Sequence, residues 1–109
     1  MIRLSARFWV DAYLARLRVH DIPAFVVAHG DDTAGAVLVK SSTLDGKAKL
    51  YQRSYDMLQD IRKWDVFSEG DDRDVEASIA KQRQFDLDVW VIEVEDRAGR
   101  TLLDQQGLA

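Results

Sequence analysis

With 109 residues, 47% hydrophobic and 31% charged, the chain is sized and composed for one hydrophobic core, so residues 1–109 read as a single domain, and a second domain or global disorder is excluded. It contains no cysteine, which removes disulfide frameworks, thiolate metal sites and thiol nucleophiles. The formal net charge of −4 disfavours nucleic acid as a partner, although the charge is uneven: residues 1–53 carry eight Lys/Arg against five Asp, and residues 54–109 seven against fourteen Asp/Glu. The start of the chain lacks the apolar run of a signal peptide, and no stretch reaches the about 18 apolar residues of a membrane span. A cytoplasmic location without membrane association is the expectation.

Ser5 is placed to cap a helix from Ala6 to His20, which Asp21 and Pro23 stop. At 100° per residue, Phe8, Trp9, Val10, Ala12, Tyr13, Leu14, Leu17 and Val19 form a broad apolar arc opposite Arg3, Arg7, Asp11 and Arg18. From Ala24 the pattern shortens. Ala24–Ala28 and Gly35–Lys40 read as a hairpin across a Gly30-Asp31-Asp32 link, and Leu44-Asp45-Gly46 turns the chain into a third antiparallel strand at Lys47–Tyr51. Asp56–Phe67 reads as a short helix and then a strand. The segment Glu69–Asp72 reads as a loop, with Asp72 capping a second helix over Arg73–Phe85. Leu87–Asp96 is apolar on both alternating faces at its start, as a strand covered on two sides would be. Thr101–Leu103 is expected to add a short edge strand, and residues 105–109 to fray.

No phosphate loop, dinucleotide fingerprint, HExxH, GxSxG or EF-hand spacing occurs, so no cofactor, no metal and no catalytic residue is assigned. Two polar features stand out. Arg16 falls in the middle of the apolar arc, and with Trp9, Tyr13 and His20 at helical spacing it makes a strip that offers a fixed charge, a phenol and an aromatic face to a planar or anionic ligand. Glu93 and Glu95 face the same way from one strand, about 7 Å apart, close enough to perturb each other or share a divalent ion. The simpler reading of Arg16 is an internal ion pair with one of them, and that of the glutamates is solvated acids at a strand end.

The words FWVDAYLARLRV at Phe8–Val19, GAVLVK at Gly35–Lys40, LDGKAKLY at Leu44–Tyr51 and RQFDLDVWVIEVEDRAGR at Arg83–Arg100 give the chain a resemblance, over nearly its full length, to a family of small bacterial proteins known only as domain of unknown function 1491. The resemblance implies no activity and assigns no residue a role.

The sequence therefore predicts an α+β domain: a mainly antiparallel sheet of about five strands with two principal helices, a three-layer α/β arrangement being the alternative. The expected function is a non-enzymatic binding or adaptor module that uses Trp9, Tyr13, Arg16 and His20 toward a protein or a small anionic ligand, with a homodimer as a further expected partner form. Its rival is a small hydrolase or metal-dependent nuclease using Glu93 and Glu95 with Arg16, which needs a pocket between the first helix and the last strand. A second alternative is weak nucleic-acid binding through Arg3, Arg7 and Arg18.

Overall fold

The computed structural model describes residues 4–105 and 108. The first helix, α1 (Ala6–Val19), starts where expected: Ser5 Oγ accepts from the Phe8 amide at 3.2 Å. It ends at His20, and Asp21 takes a left-handed backbone (φ 57°) that short polar side chains tolerate. Ala6, Trp9, Val10, Tyr13 and Leu17 are buried, whereas Phe8 and Val19 are exposed, so the buried stripe is narrower than the apolar arc.

Five strands follow: β1 (Ala24–Ala28), β2 (Val37–Ser42), β3 (Lys47–Asp56), β4 (Ile61–Asp71) and β5 (Trp90–Glu95), with α2 (Asp72–Phe85) between the last two. The sheet order is β1-β5-β2-β3-β4, antiparallel throughout except that β2 and β5 run parallel. This is an α+β fold, as the sequence predicts. The expected β1–β2 hairpin does not form, because β5 inserts between those strands. Their link instead packs over the entrance to β5. The Asp31 amide donates to the Asp88 carbonyl (2.9 Å), and Trp90 donates from its amide to Ala36 (2.8 Å) and from its indole to Asp31 (2.8 Å). Gly30 and Gly35 permit this approach; a Cβ on either would stand 2.3 or 2.5 Å from the Asp88 carbonyl oxygen.

Five further expectations are corrected. The segment 57–60 is a tight turn, not a helix, because the Asp56 carboxylate takes the Leu58 and Gln59 amides (2.9 and 3.2 Å). Glu69–Asp71 continues β4 and is not a loop: Glu69 lies opposite Lys49, and Asp71 opposite Lys47 with a direct ion pair, so the acids are held in the ladder. Asp71 rather than Asp72 is the N-cap position of α2. Thr101–Leu103 forms no strand. Strand β5 begins at Trp90, three residues later than the apolar pattern implies, because the Asp86 carboxylate takes the Asp88 amide (2.9 Å) and turns the chain. In the segment 105–109, Leu108 is buried and its carbonyl accepts from Trp64 Nε1 (2.8 Å), while residues 106, 107 and 109 lie outside the described residues.

Side chains alternate across the sheet, and each face meets one helix. Trp9, Tyr13 and Leu17 of α1 pack on Val37, Val39, Trp90, Ile92 and Val94; Val75 and Ile79 of α2 pack on Leu38, Leu50, Val89 and Val91. Strand β5 is thus covered on both sides, which explains its two apolar faces. Among the described residues, no helix is long and apolar enough to cross a membrane.

Candidate functional site

The strip expected on α1 runs from core to solvent and does not form one surface. Trp9 and Tyr13 are buried and stacked, with ring centroids 4.9 Å apart. Tyr13 donates its hydroxyl to the Thr101 carbonyl at 2.7 Å, and burial raises its pKa well above the usual phenol range. Arg16 is half-buried, and His20 is exposed at the C-cap.

Glu93 and Glu95 lie on the α2 side of β5, the face opposite α1, so the fold does not bring them to Arg16. The α1–β5 contact that the hydrolase reading needs as a pocket is filled by Tyr13, Leu17, Ile92 and Val94. Glu93 instead faces Lys40 of β2. The Lys40 ammonium, on a side chain only 4% exposed, lies 2.7 Å from Asp72, 3.5 Å from Glu93 and in direct contact with Glu76. Burial alone lowers the pKa of an ammonium; here the hydrogen bonds to Asp72 and Glu76 and the charge of Glu93 outweigh it and hold the pKa above the ordinary lysine range. A permanently charged lysine is a poor nucleophile or base. It fills the place a cation would take among these acids, and no group of His, Asp or Glu among the described residues is arranged to hold a metal.

The basic stripe is also engaged. Arg7 pairs with Asp11 (3.5 Å) and Asp32 (3.7 Å), Arg18 is exposed, and Arg3 lies outside the described residues. Asp32 further bonds His29 Nε2 at 2.7 Å, which with Arg7 depresses the aspartate pKa, and the His29 ring rests on Trp90 at 4.1 Å.

A different constellation marks the α1 face. Strand β3 runs five residues beyond its expected end at Tyr51, and alternation sets Tyr51, Arg53 and Tyr55 on the α1 side. Trp64 faces Arg53 from β4. The Arg53 guanidinium lies 4.9 Å from both the Trp9 and Trp64 ring centroids, and the two indoles are 5.3 Å apart. Its Nε and Nη2 are sealed from solvent, so aromatic faces supply much of the environment of this charge. The indole Nε1 of Trp9 is buried and has no hydrogen-bond partner among the described residues.

Beside this stack opens a groove of about 900 Å³, bounded by the start of α1, the chain leading into β2, the outer part of β3 and the end of α2, with Trp9, Leu38, Gln52, Arg53, Arg62 and Gln82 in its lining. The helix start adds little to it: the Ala6 and Arg7 amides donate to Thr33 (3.1 Å) and Asp32 (2.9 Å), and the Phe8 amide to Ser5. Sequence reasoning missed Arg53, Arg62 and Trp64. Extending the period of two past Tyr51 would have found Arg53; its juxtaposition with Trp9 depends on tertiary packing.

The fold and this groove define a small α+β domain with one helix on each face of a five-stranded mixed sheet. The chain belongs to the DUF1491 family, described as proteins of unknown function, whose model matches residues 4–104. It is similar to a DUF1491 family protein from Caulobacter crescentus CB15 seen in a crystal structure, with 34% identity, coverage of 94% of this chain and 96% of that one, and a TM-score of 0.85. An NMR structure of a DUF1491 family protein from the same organism gives 33% identity, 95% and 96% coverage and a TM-score of 0.81. A solution structure of a protein from A. tumefaciens is 25% identical over 86% of both chains, with a TM-score of 0.73. No curated protein matches the chain.

Proposed function

We propose that the protein is a cytoplasmic, non-enzymatic binding module whose ligand enters the groove between the first turn of α1 and the outer part of the β3–β4 hairpin. The observation that carries this reading is the Trp9–Arg53–Trp64 stack at the side of a concave space of about 900 Å³. Concavity, aromatic walls and a few convergent polar groups are the common marks of a ligand site. Of the α1 strip only Trp9 lines the groove, so the binding surface shifts from the length of the helix to its first turn and the neighbouring hairpin. Of the two acids that an enzymatic reading would use, Glu93 lies on the opposite face 3.5 Å from the Lys40 ammonium.

The test is a fragment screen followed by amide NMR of the full chain. Hits whose shift changes cluster at Leu38, Gln52, Ser54, Arg62 and Gln82 support the groove. Hits that cluster elsewhere, or no hit at millimolar concentration, overturn it.

A further inference from the structure

The groove uses the start of β2 and the outer part of β3, and a second pocket of about 380 Å³ lies at the other end of these strands. The two share no lining residue. The second pocket is bounded by the end of β2, the start of β3, the end of β4 and the turn after β5. Alternation fixes its face: Val39 belongs to the core beneath α1, so Ser41 points the same way, and Lys47, Lys49 and Tyr51 alternate with Ala48 and Leu50 of the α2 core.

Ser41 is only 3% exposed and lines this pocket, yet its hydroxyl makes no hydrogen bond among the described residues. A buried hydroxyl ordinarily has a partner. Ser41 lies opposite Lys49 in the β2–β3 ladder, and Lys49 opposite Glu69 in the β3–β4 ladder. A hydroxyl, an ammonium and a carboxylate thus stand in one row across three strands spaced about 4.8 Å apart. Neither Lys49 nor Glu69 forms an ion pair among the described residues. Other polar groups of the lining are used internally, since Lys47 is in direct contact with Asp71 and the Thr43 hydroxyl bonds Asp45 at 2.5 Å. Tyr51, on the same face as Lys49, adds a second hydroxyl without a hydrogen bond among the described residues.

We propose that this pocket binds a free α-amino acid, its carboxylate held by Lys49 and the Ser41 hydroxyl and its ammonium by Glu69. A lining with both signs selects a ligand with both signs: an anion alone would also face Glu69, and a cation alone would also face Lys49. An α-amino acid carries its two charges about 3 Å apart, which fits between two side chains that rise from adjacent strands. Ser41 donates to the carboxylate and gains the partner that the protein does not supply. The remaining wall includes Gly70, Ala98 and Gly99 and offers little apolar surface, so recognition falls on the charged ends of the ligand rather than on its side chain.

The probe is L-alanine, titrated into the full chain and followed by amide NMR, with N-acetyl-L-alanine and L-alaninamide as forms that lack one charge each. Shift changes at Ser41, Lys49, Gly70 and Gly99 are expected at millimolar L-alanine, with either blocked form about ten-fold weaker. Ser41→Ala should weaken L-alanine binding about ten-fold and leave the urea midpoint unchanged, because the hydroxyl has no partner to lose within the protein; a hydroxyl with a structural role would move the midpoint instead. Lys49→Met, at an exposed position, decides the matter if Ser41→Ala does not fold: it should erase the preference for L-alanine over L-alaninamide. No response at these amides, equal binding of either blocked form, or wild-type binding by the Ser41→Ala or Lys49→Met chain overturns the proposal. Because the two sites are separate, failure here leaves the groove reading as it stands.

Discussion

Lys40 and Arg53 are cations on neighbouring strands and opposite faces of one sheet, and their surroundings neutralise them by different means. Lys40 stands amid Asp72, Glu76 and Glu93, and the acids come from the start of α2 and from β5. The cluster ties three elements together and leaves the lysine little to offer a ligand. Arg53 lies against two indole rings, which supply electron density without a full negative charge. A carboxylate cage closes a site. An aromatic clamp holds a charge in place at the side of an open groove.

The difference can be broken most forcefully at Lys40. In Lys40→Met, the cluster of carboxylates loses its counter-charge, and because Asp72 and Glu76 are 44% and 50% exposed while Glu93 is 21% exposed, only Glu93 is left substantially desolvated. A loss of about 3 kcal/mol, the lower end for breaking a buried pair, is expected in urea denaturation at neutral pH. Because the folded state raises the lysine pKa above its ordinary 10.5, this stabilisation is complete below pH 10.5 and falls as pH rises toward the folded value. The gap between wild type and Lys40→Met therefore narrows above that pH. A gap that stays constant to pH 12 would mean that the lysine acts by packing alone.

Arg53→Lys probes the other face. The ammonium keeps the charge but loses the planar stacking surface, and a cost of about 1–2 kcal/mol is expected, smaller than at Lys40. Near-UV circular dichroism should change in the indole region because Trp9 and Trp64 lose the group between them. If Arg53→Lys costs as much as Lys40→Met, the aromatic clamp is as essential to the fold as the carboxylate cage, and the contrast between the faces falls.

The sequence discloses these two sites unequally, for physical reasons. Alternation in β5 exposes Glu93 as an acid on a strand with two apolar faces, yet nothing local says that its partner is Lys40, because a parallel pairing between β2 and β5 is set by a crossover rather than by neighbouring residues. The same non-local pairing defeats the β1–β2 hairpin: two short apolar runs around a polar link carry no mark that a third strand will enter between them. Local rules succeed where the cause is local. Ser5 caps α1, Pro23 follows its end, and Leu44-Asp45-Gly46 turns β2 into β3, with Leu44 and Gly46 both at positive φ. Arg16 shows the limit of the helical wheel: it is half-buried and lies outside the buried stripe of Ala6, Trp9, Val10, Tyr13 and Leu17, and the wheel cannot say that Glu93 points to the other face of the sheet. The helical pattern marks Trp9 as a candidate contact residue, whereas Arg53 lies on the part of β3 beyond Tyr51, where the apolar alternation stops.

Tyr13→Phe tests the core of the α1 face with the smallest change. The substitution keeps the ring against Trp9 and removes only the hydroxyl that donates to Thr101. The net worth of one such bond, with a carbonyl left short of a partner, is about 1 kcal/mol at neutral pH. Burial raises the phenol pKa above its ordinary 10.0, so the folded state holds the proton after the unfolded chain has released it. Stability from this group is complete below pH 10 and declines as pH rises above it. Tyr13→Phe should therefore trail wild type at pH 7 and approach it above pH 10, measured by urea denaturation across that range. Combined with Lys40→Met, the neutral-pH losses should add, since the two groups lie on opposite faces and share no partner. A coupling well beyond about 0.5 kcal/mol would show that the sheet transmits strain between its faces, and the two sites could no longer be treated as independent.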